Sequence, residues 1–166
     1  HWAKLNNLKQ AAKTMNFLTE HGISSYGEME SKLTAVSARR DTAHAEIKRI
    51  ESRSAELTLV MKHAETYRQL KPIYDRYRKS NNKEKFLRGH ESEIILFEAT
   101  ARELKRLGAV PLPTTESMKT ELANLSAETE RLLAEYKTAR TEAQEYETVK
   151  QNGRAAGRSK GTTVAA

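Results

Sequence analysis

Apolar side chains recur along this chain at steps of three and four residues. Trp2, Leu5, Leu8, Ala12, Met15 and Leu18 predict a first amphipathic helix over residues 2–20 with one apolar stripe. His21-Gly22 ends it, because Gly22 suits a left-handed cap. Ser25 and Glu28 then make a capping box, the Ser bonding forward and the Glu bonding back. Beyond it, Met29, Leu33, Val36, Arg40, Ala43, Ile47, Ile50, Ser54, Leu57, Met61 and Ala64 alternate steps of four and three, a sustained heptad repeat. The polar seam positions Arg40 and Ser54 cost stability but can fix register. Pro72 lacks an amide donor, so the pattern predicts a kink or a restart there.

After Pro72, Ile73, Tyr74 and Tyr77 predict about two more helical turns, and Ser80-Asn81-Asn82 reads as a loop. Phe86, Leu87 and Ile94-Ile95-Leu96-Phe97 open another helix, which Leu104 and Leu107 continue until Gly108. Gly108 to Thr115 form a connector, because Pro111 and Pro113 exclude helix. A last helix begins near Thr114 or Thr115. Its Met118, Leu122, Leu125, Thr129, Leu132, Tyr136, Ala139, Ala143 and Tyr146 form a second heptad segment.

Neither heptad helix buries its stripe alone. The expected fold is all-α: a long antiparallel coiled-coil hairpin with a smaller helical tip and an N-terminal helix packed along it. The segments are residues 1–22, the N-terminal helix; 23–71, the long heptad helix; 72–113, the basic tip and connector; 114–152, the second heptad helix; and 153–166, a disordered basic tail. A monomeric hairpin is favoured over a parallel dimer, because a partner on the same chain has a high effective concentration.

Composition narrows the function classes. Of 166 residues, 37% are apolar and only three are Phe and one Trp, which suits helices sharing a narrow seam better than a thick core. The chain has no cysteine, which excludes disulfides, thiolate catalysis and Cys-ligated zinc and fits a cytoplasmic setting. No apolar run is long enough for a membrane span, so no membrane insertion is expected. The sequence opens at His1 inside an amphipathic pattern, and it reads as a fragment or processed product.

The net charge is +7. Lys71 to His90 hold seven basic and two acidic residues, a net of +5, so one short stretch carries most of the excess. A basic cluster interleaved with aromatic rings suits phosphate contact, with rings able to stack on unpaired bases. The candidate nucleic-acid-binding residues are Lys71, Arg76, Arg78, Lys79, Lys83, Lys85 and Arg88, with Tyr74 and Tyr77. Tyr67, Tyr74 and Tyr77 share one helix face, which packing alone would also produce. Nothing resembles a helix-turn-helix or zinc finger, so no base-specific readout is expected.

Catalytic chemistry finds little footing. His1, His21, His44, His63 and His90 are scattered, with no pair at metal-ligand spacing, and no cofactor is expected. Glu91 and Glu93 sit near a helix start, where the helix dipole explains them. A tyrosine can attack a phosphodiester beside arginines, but the shared packing face argues against that role here.

Three stretches, His1 to Ile23, Lys71 to Thr100 ("KPIYDRYRKSNNKEKFLRGHESEIILFEAT") and Leu112 to Glu128, together resemble the C-terminal helical region of relaxase/mobilisation nucleases of plasmids and conjugative transposons. The resemblance implies a parent protein that nicks one DNA strand at a transfer origin through a tyrosine. Its nuclease domain, with a histidine-rich metal site, would lie upstream. No catalytic residue is carried over, and this chain is expected to be no enzyme. The implied partners are transfer-origin DNA, single- or double-stranded and bound with low specificity, relaxosome accessory proteins, or the secretion coupling protein. The alternative is a structural coiled-coil spacer or protein-interaction module without DNA contact.

Overall fold

The computed structural model describes residues 2–160. They form four helices: α1 (Trp2–Glu20), α2 (Tyr26–Lys79), α3 (Lys83–Arg106) and α4 (Thr115–Lys160). No strand occurs among the described residues. The fold is all-α, as the apolar periodicity predicts. The chain packs as two compact units: Lys48–Glu130 form unit 2, and the described residues on either side form unit 1.

In unit 1, α2 and α4 run antiparallel. Tyr26 meets Arg154, Glu30 meets Lys150, Arg39 meets Glu142 and His44 meets Tyr136, so each advance along α2 is matched by a near-equal retreat along α4. The core is the predicted seam, extended by Val149: Met29, Leu33 and Val36 of α2 against Ala139, Ala143, Tyr146 and Val149 of α4. Ala43, Ala139 and Ala143 are buried on these helices, and small side chains there let two backbones approach closely.

The helix α1 joins this core through the end of its apolar stripe, at Leu18, and through Phe17 beside it, not through the rest of the stripe. Phe17 and Leu18 pack against the cluster, and Gln10 accepts a hydrogen bond from Asn152. Leu5, Leu8 and Met15 remain 48%, 70% and 63% exposed. The junction with α2 is fixed locally. Gly22 takes φ +59, and the Ile23 and Gly22 N–H groups donate to the Leu18 and Thr19 carbonyls at 2.8 and 3.2 Å. This is the Schellman arrangement, and it buries Ile23 beside Leu18. The capping box forms with one change. Ser25 Oγ accepts from the Glu28 N–H, but Glu28 reaches back to Ser24, accepting from its N–H at 2.6 Å and its hydroxyl at 2.9 Å.

In unit 2, α2 is flanked by α3 and α4. Leu57, Val60 and Ala64 of α2, Leu104 of α3, Ala109 of the connector and Met118 of α4 form the buried cluster. Gly108, at φ +69, repeats the Gly22 device, with Ala109 donating to Leu104 at 2.9 Å. Thr114 caps α4, accepting from the Ser117 N–H at 3.1 Å. The peptide before Pro111 is cis.

Two expected boundaries move. The helix α2 does not stop or restart at Pro72 but runs through it to Lys79. A proline inside a helix costs about 3 kcal/mol. Here Phe97 of α3 stacks on Tyr67 at 4.7 Å and on Tyr74 at 4.2 Å, one ring on each side of Pro72 in sequence. Phe97 is buried. Burying a Phe is worth about 1.5–3 kcal/mol, and each aromatic contact adds about 0.5–1.5 kcal/mol, enough to hold both sides of the proline in one helix. The second change lies at the other end. Gly153 to Lys160, expected in the disordered tail, continue α4. Residues 161–166 of that tail lie outside the described residues.

Candidate nucleic-acid interface

The basic stretch predicted from charge occupies the turn between α2 and α3 in unit 2. Arg68 places it: its guanidinium donates to Thr115 Oγ1 at 2.9 Å and to the Pro113 carbonyl at 2.8 Å. The start of α4 is therefore level with Arg68, and the last turns of α2 pass beyond it alongside α3. Three residues, Ser80-Asn81-Asn82, reverse the chain. Asn82 caps α3, with Oδ1 accepting from the Lys85 N–H at 3.0 Å.

All seven predicted cations are exposed, but they differ in what faces them. Lys71 donates to Asp75 at 2.7 Å, and that bond holds its ammonium above the usual lysine value. Arg88 lies 3.7 Å from Glu84, with both side chains largely in water. Arg76, Arg78, Lys79, Lys83 and Lys85 have no ion-pair partner among the described residues.

The predicted tyrosines are brought together in a ladder that joins the two helices. Tyr67, Phe97, Tyr74, Tyr77, Phe86 and His90 follow one another with ring centroids 4.2–6.3 Å apart. Tyr74 gives one face to Phe97, and Tyr74 and Tyr77 stay half-buried. Their demonstrable work is packing α2 on α3.

No protein-family model matches the chain, and no curated protein or solved structure matches it.

The ladder ends at a break in α3. His90 takes non-helical angles (φ −140, ψ 26), so α3 is two helical pieces joined at Gly89-His90. Glu93 stands three residues into the second piece. Its carboxylate is held below the usual range by its own backbone N–H first and by His90 next, whose Nδ1 lies 3.4 Å away. Glu91 and Glu93 thus belong to a helix start, the position in which the sequence places them. Among the described residues no group of three or more His, Cys, Asp or Glu could hold a metal ion.

Charge counting along the chain misses two cations. Arg102 and Lys105 of α3 are exposed without an ion-pair partner. Glu91, Glu93, Glu98 and Glu103 lower the net charge around them and hide them from a sequence window. Arg106, by contrast, is taken by Glu103 at 2.9 Å, which holds that carboxylate below its usual range.

Proposed function

We propose that this chain is a non-catalytic helical accessory region of a DNA relaxase, acting in the cytoplasm. In this reading it grips transfer-origin DNA with low sequence specificity through the α2–α3 turn and so helps assemble the transfer complex. The family arm rests on the resemblance of the three sequence stretches. The DNA arm rests on one observation: Lys83 and Lys85 stand exposed and unpaired in the first turn of α3.

A helix start carries partial positive charge, so cations there oppose folding. Arg76, Arg78 and Lys79 occupy the last turn of α2, where the dipole favours them, and helix stability alone explains those three. It does not explain Lys83 and Lys85. An anionic ligand at the turn would explain all five, and phosphates supply that charge at short spacing.

The test is fluorescence anisotropy of a labelled single-stranded oligonucleotide against the wild type and a variant with Arg76, Arg78, Lys79, Lys83 and Lys85 replaced by Gln. Binding should weaken at least tenfold. The dependence of log affinity on log salt should flatten by up to about 3.5, at about 0.7 per lost phosphate contact. Equal affinities at low salt would remove the DNA-contacting turn and leave the spacer reading in its place.

A further inference from the structure

The exposed stripe of α1 has a regularity that the fold does not use. Leu5, Leu8, Ala12 and Met15 are spaced three, four and three apart, the a-d-a-d order of a coiled-coil seam. In that lettering Lys4 is a g position and Lys9 an e position. Of the residues that hold α1 to unit 1, Gln10, Thr14 and Phe17 are f, c and f, on the side away from the seam, and Leu18 is g, at its edge. Unit 1 thus holds α1 by its back and, at Leu18, by one edge, and leaves Leu5, Leu8, Ala12 and Met15 in water.

Lys4 and Lys9 are exposed and have no ion-pair partner among the described residues, and α1 has no acidic residue before Glu20. Flanking e and g charges select the partner of a coiled coil. A second copy of this chain is a poor match. Parallel pairing would set Lys4 against Lys9 of the other copy, and antiparallel pairing would set e against e, bringing like charges together. A lipid surface is a poor match too. Interfacial helices carry a broad apolar face, whereas this stripe is only the a/d seam, with Ala12 near its centre.

We infer that α1 docks an amphipathic helix in trans, one with apolar a and d positions and Glu or Asp at e and g. Because α1 is already helical and anchored, the partner alone is ordered on binding, which lowers the entropic cost of so short a seam. This face lies in unit 1, and the basic turn lies in unit 2.

The probe is a synthetic four-heptad peptide with Leu at a and d and Glu at e and g, with a matched peptide carrying Lys at e and g. Labelled peptide is titrated with the whole chain and followed by anisotropy. The Glu peptide should bind at least tenfold more tightly than the Lys peptide. Leu8→Glu should weaken it at least tenfold while leaving circular dichroism unchanged, since Leu8 is largely exposed. Lys4→Glu with Lys9→Glu should reverse the preference between the two peptides. Equal binding of both peptides, or binding indifferent to Leu8→Glu, would overturn the inference. So would dimerisation of the wild type that Leu8→Glu abolishes. Leu8-dependent binding to phosphatidylglycerol vesicles without binding of the Glu peptide would overturn it by assigning the face to a membrane.

Discussion

Arg39 meets Glu142 at 2.6 Å across unit 1, and Arg53 meets Glu121 at 2.8 Å across unit 2. At the α2–α3 turn, Arg76, Arg78, Lys79, Lys83 and Lys85 meet no carboxylate. Arg39, Arg53, Arg76, Arg78 and Lys79 sit on α2, Lys83 and Lys85 on α3, and all seven cations are solvent-exposed. Along the α2–α4 seams, Arg39, Arg53 and Lys150 are each matched to a carboxylate on the facing helix, which fixes register there. At the turn the cations are unmatched, and their field is available to a partner. The aromatic rings beneath them behave in the opposite way, each one committed to a neighbour. Within one turn, then, the rings hold the structure and the cations do not.

That contrast can be broken at four points. Phe97→Ala removes the ring clamped between Tyr67 and Tyr74. It should cost about 4 kcal/mol in denaturant unfolding, within the range for a buried aromatic. Amide exchange should rise most between Ile73 and Lys79, where the helix depends on that ring to continue past Pro72. A loss spread evenly over unit 2 would show that the ladder is not what carries α2 past the proline.

Next comes the seam ion pair. A double-mutant cycle on Arg53→Gln and Glu121→Gln should give a coupling of about 0.5 kcal/mol, the exposed-pair range. The bond to Glu121 holds Arg53 above its usual value, and raised salt should shrink the coupling.

Glu28 gives a smaller effect with a sign set by pH. Its carboxyl is held below its ordinary value near 4.5, chiefly by the Ser24 backbone N–H and then by the Ser24 hydroxyl. A lowered folded value means stability that is present above that ordinary value and lost as pH falls through the folded one. The difference in Tm between the wild type and Glu28→Gln should therefore hold at neutral pH and vanish in acid. A difference independent of pH would mean that the carboxylate form is not what fastens the α1–α2 junction.

The smallest effect is expected at the turn. Replacing its five unpaired cations with Gln should change stability by less than about 0.5 kcal/mol, as surface substitutions away from special features do. A large loss would show that these side chains support the fold, and the contrast with the seams would fail.

Periodicity determined the helical class and most of the seam residues from Met29 to Ala64 and from Met118 to Tyr146, missing Val60, which is buried where Met61 is only partly so; the turn residues determined the breaks at Gly22, Ser80-Asn82 and Gly108. These features are legible because heptad spacing and left-handed glycines act over a few residues. The charge window likewise locates the exposed cations of the turn. Three things were decided only in the folded chain. Helix α2 crosses Pro72 because Phe97 arrives from a helix more than twenty residues later in sequence to clamp both sides. Tyr74 and Tyr77 pack because Phe97 and Phe86 reach them. The helix α1 binds unit 1 by Phe17 and by Leu18, the last residue of its stripe, while Leu5, Leu8 and Met15 stay exposed, because Tyr146 and the cluster around it meet only that end of the helix. An amphipathic pattern states that a face wants a partner, but which partner arrives depends on residues distant in the chain.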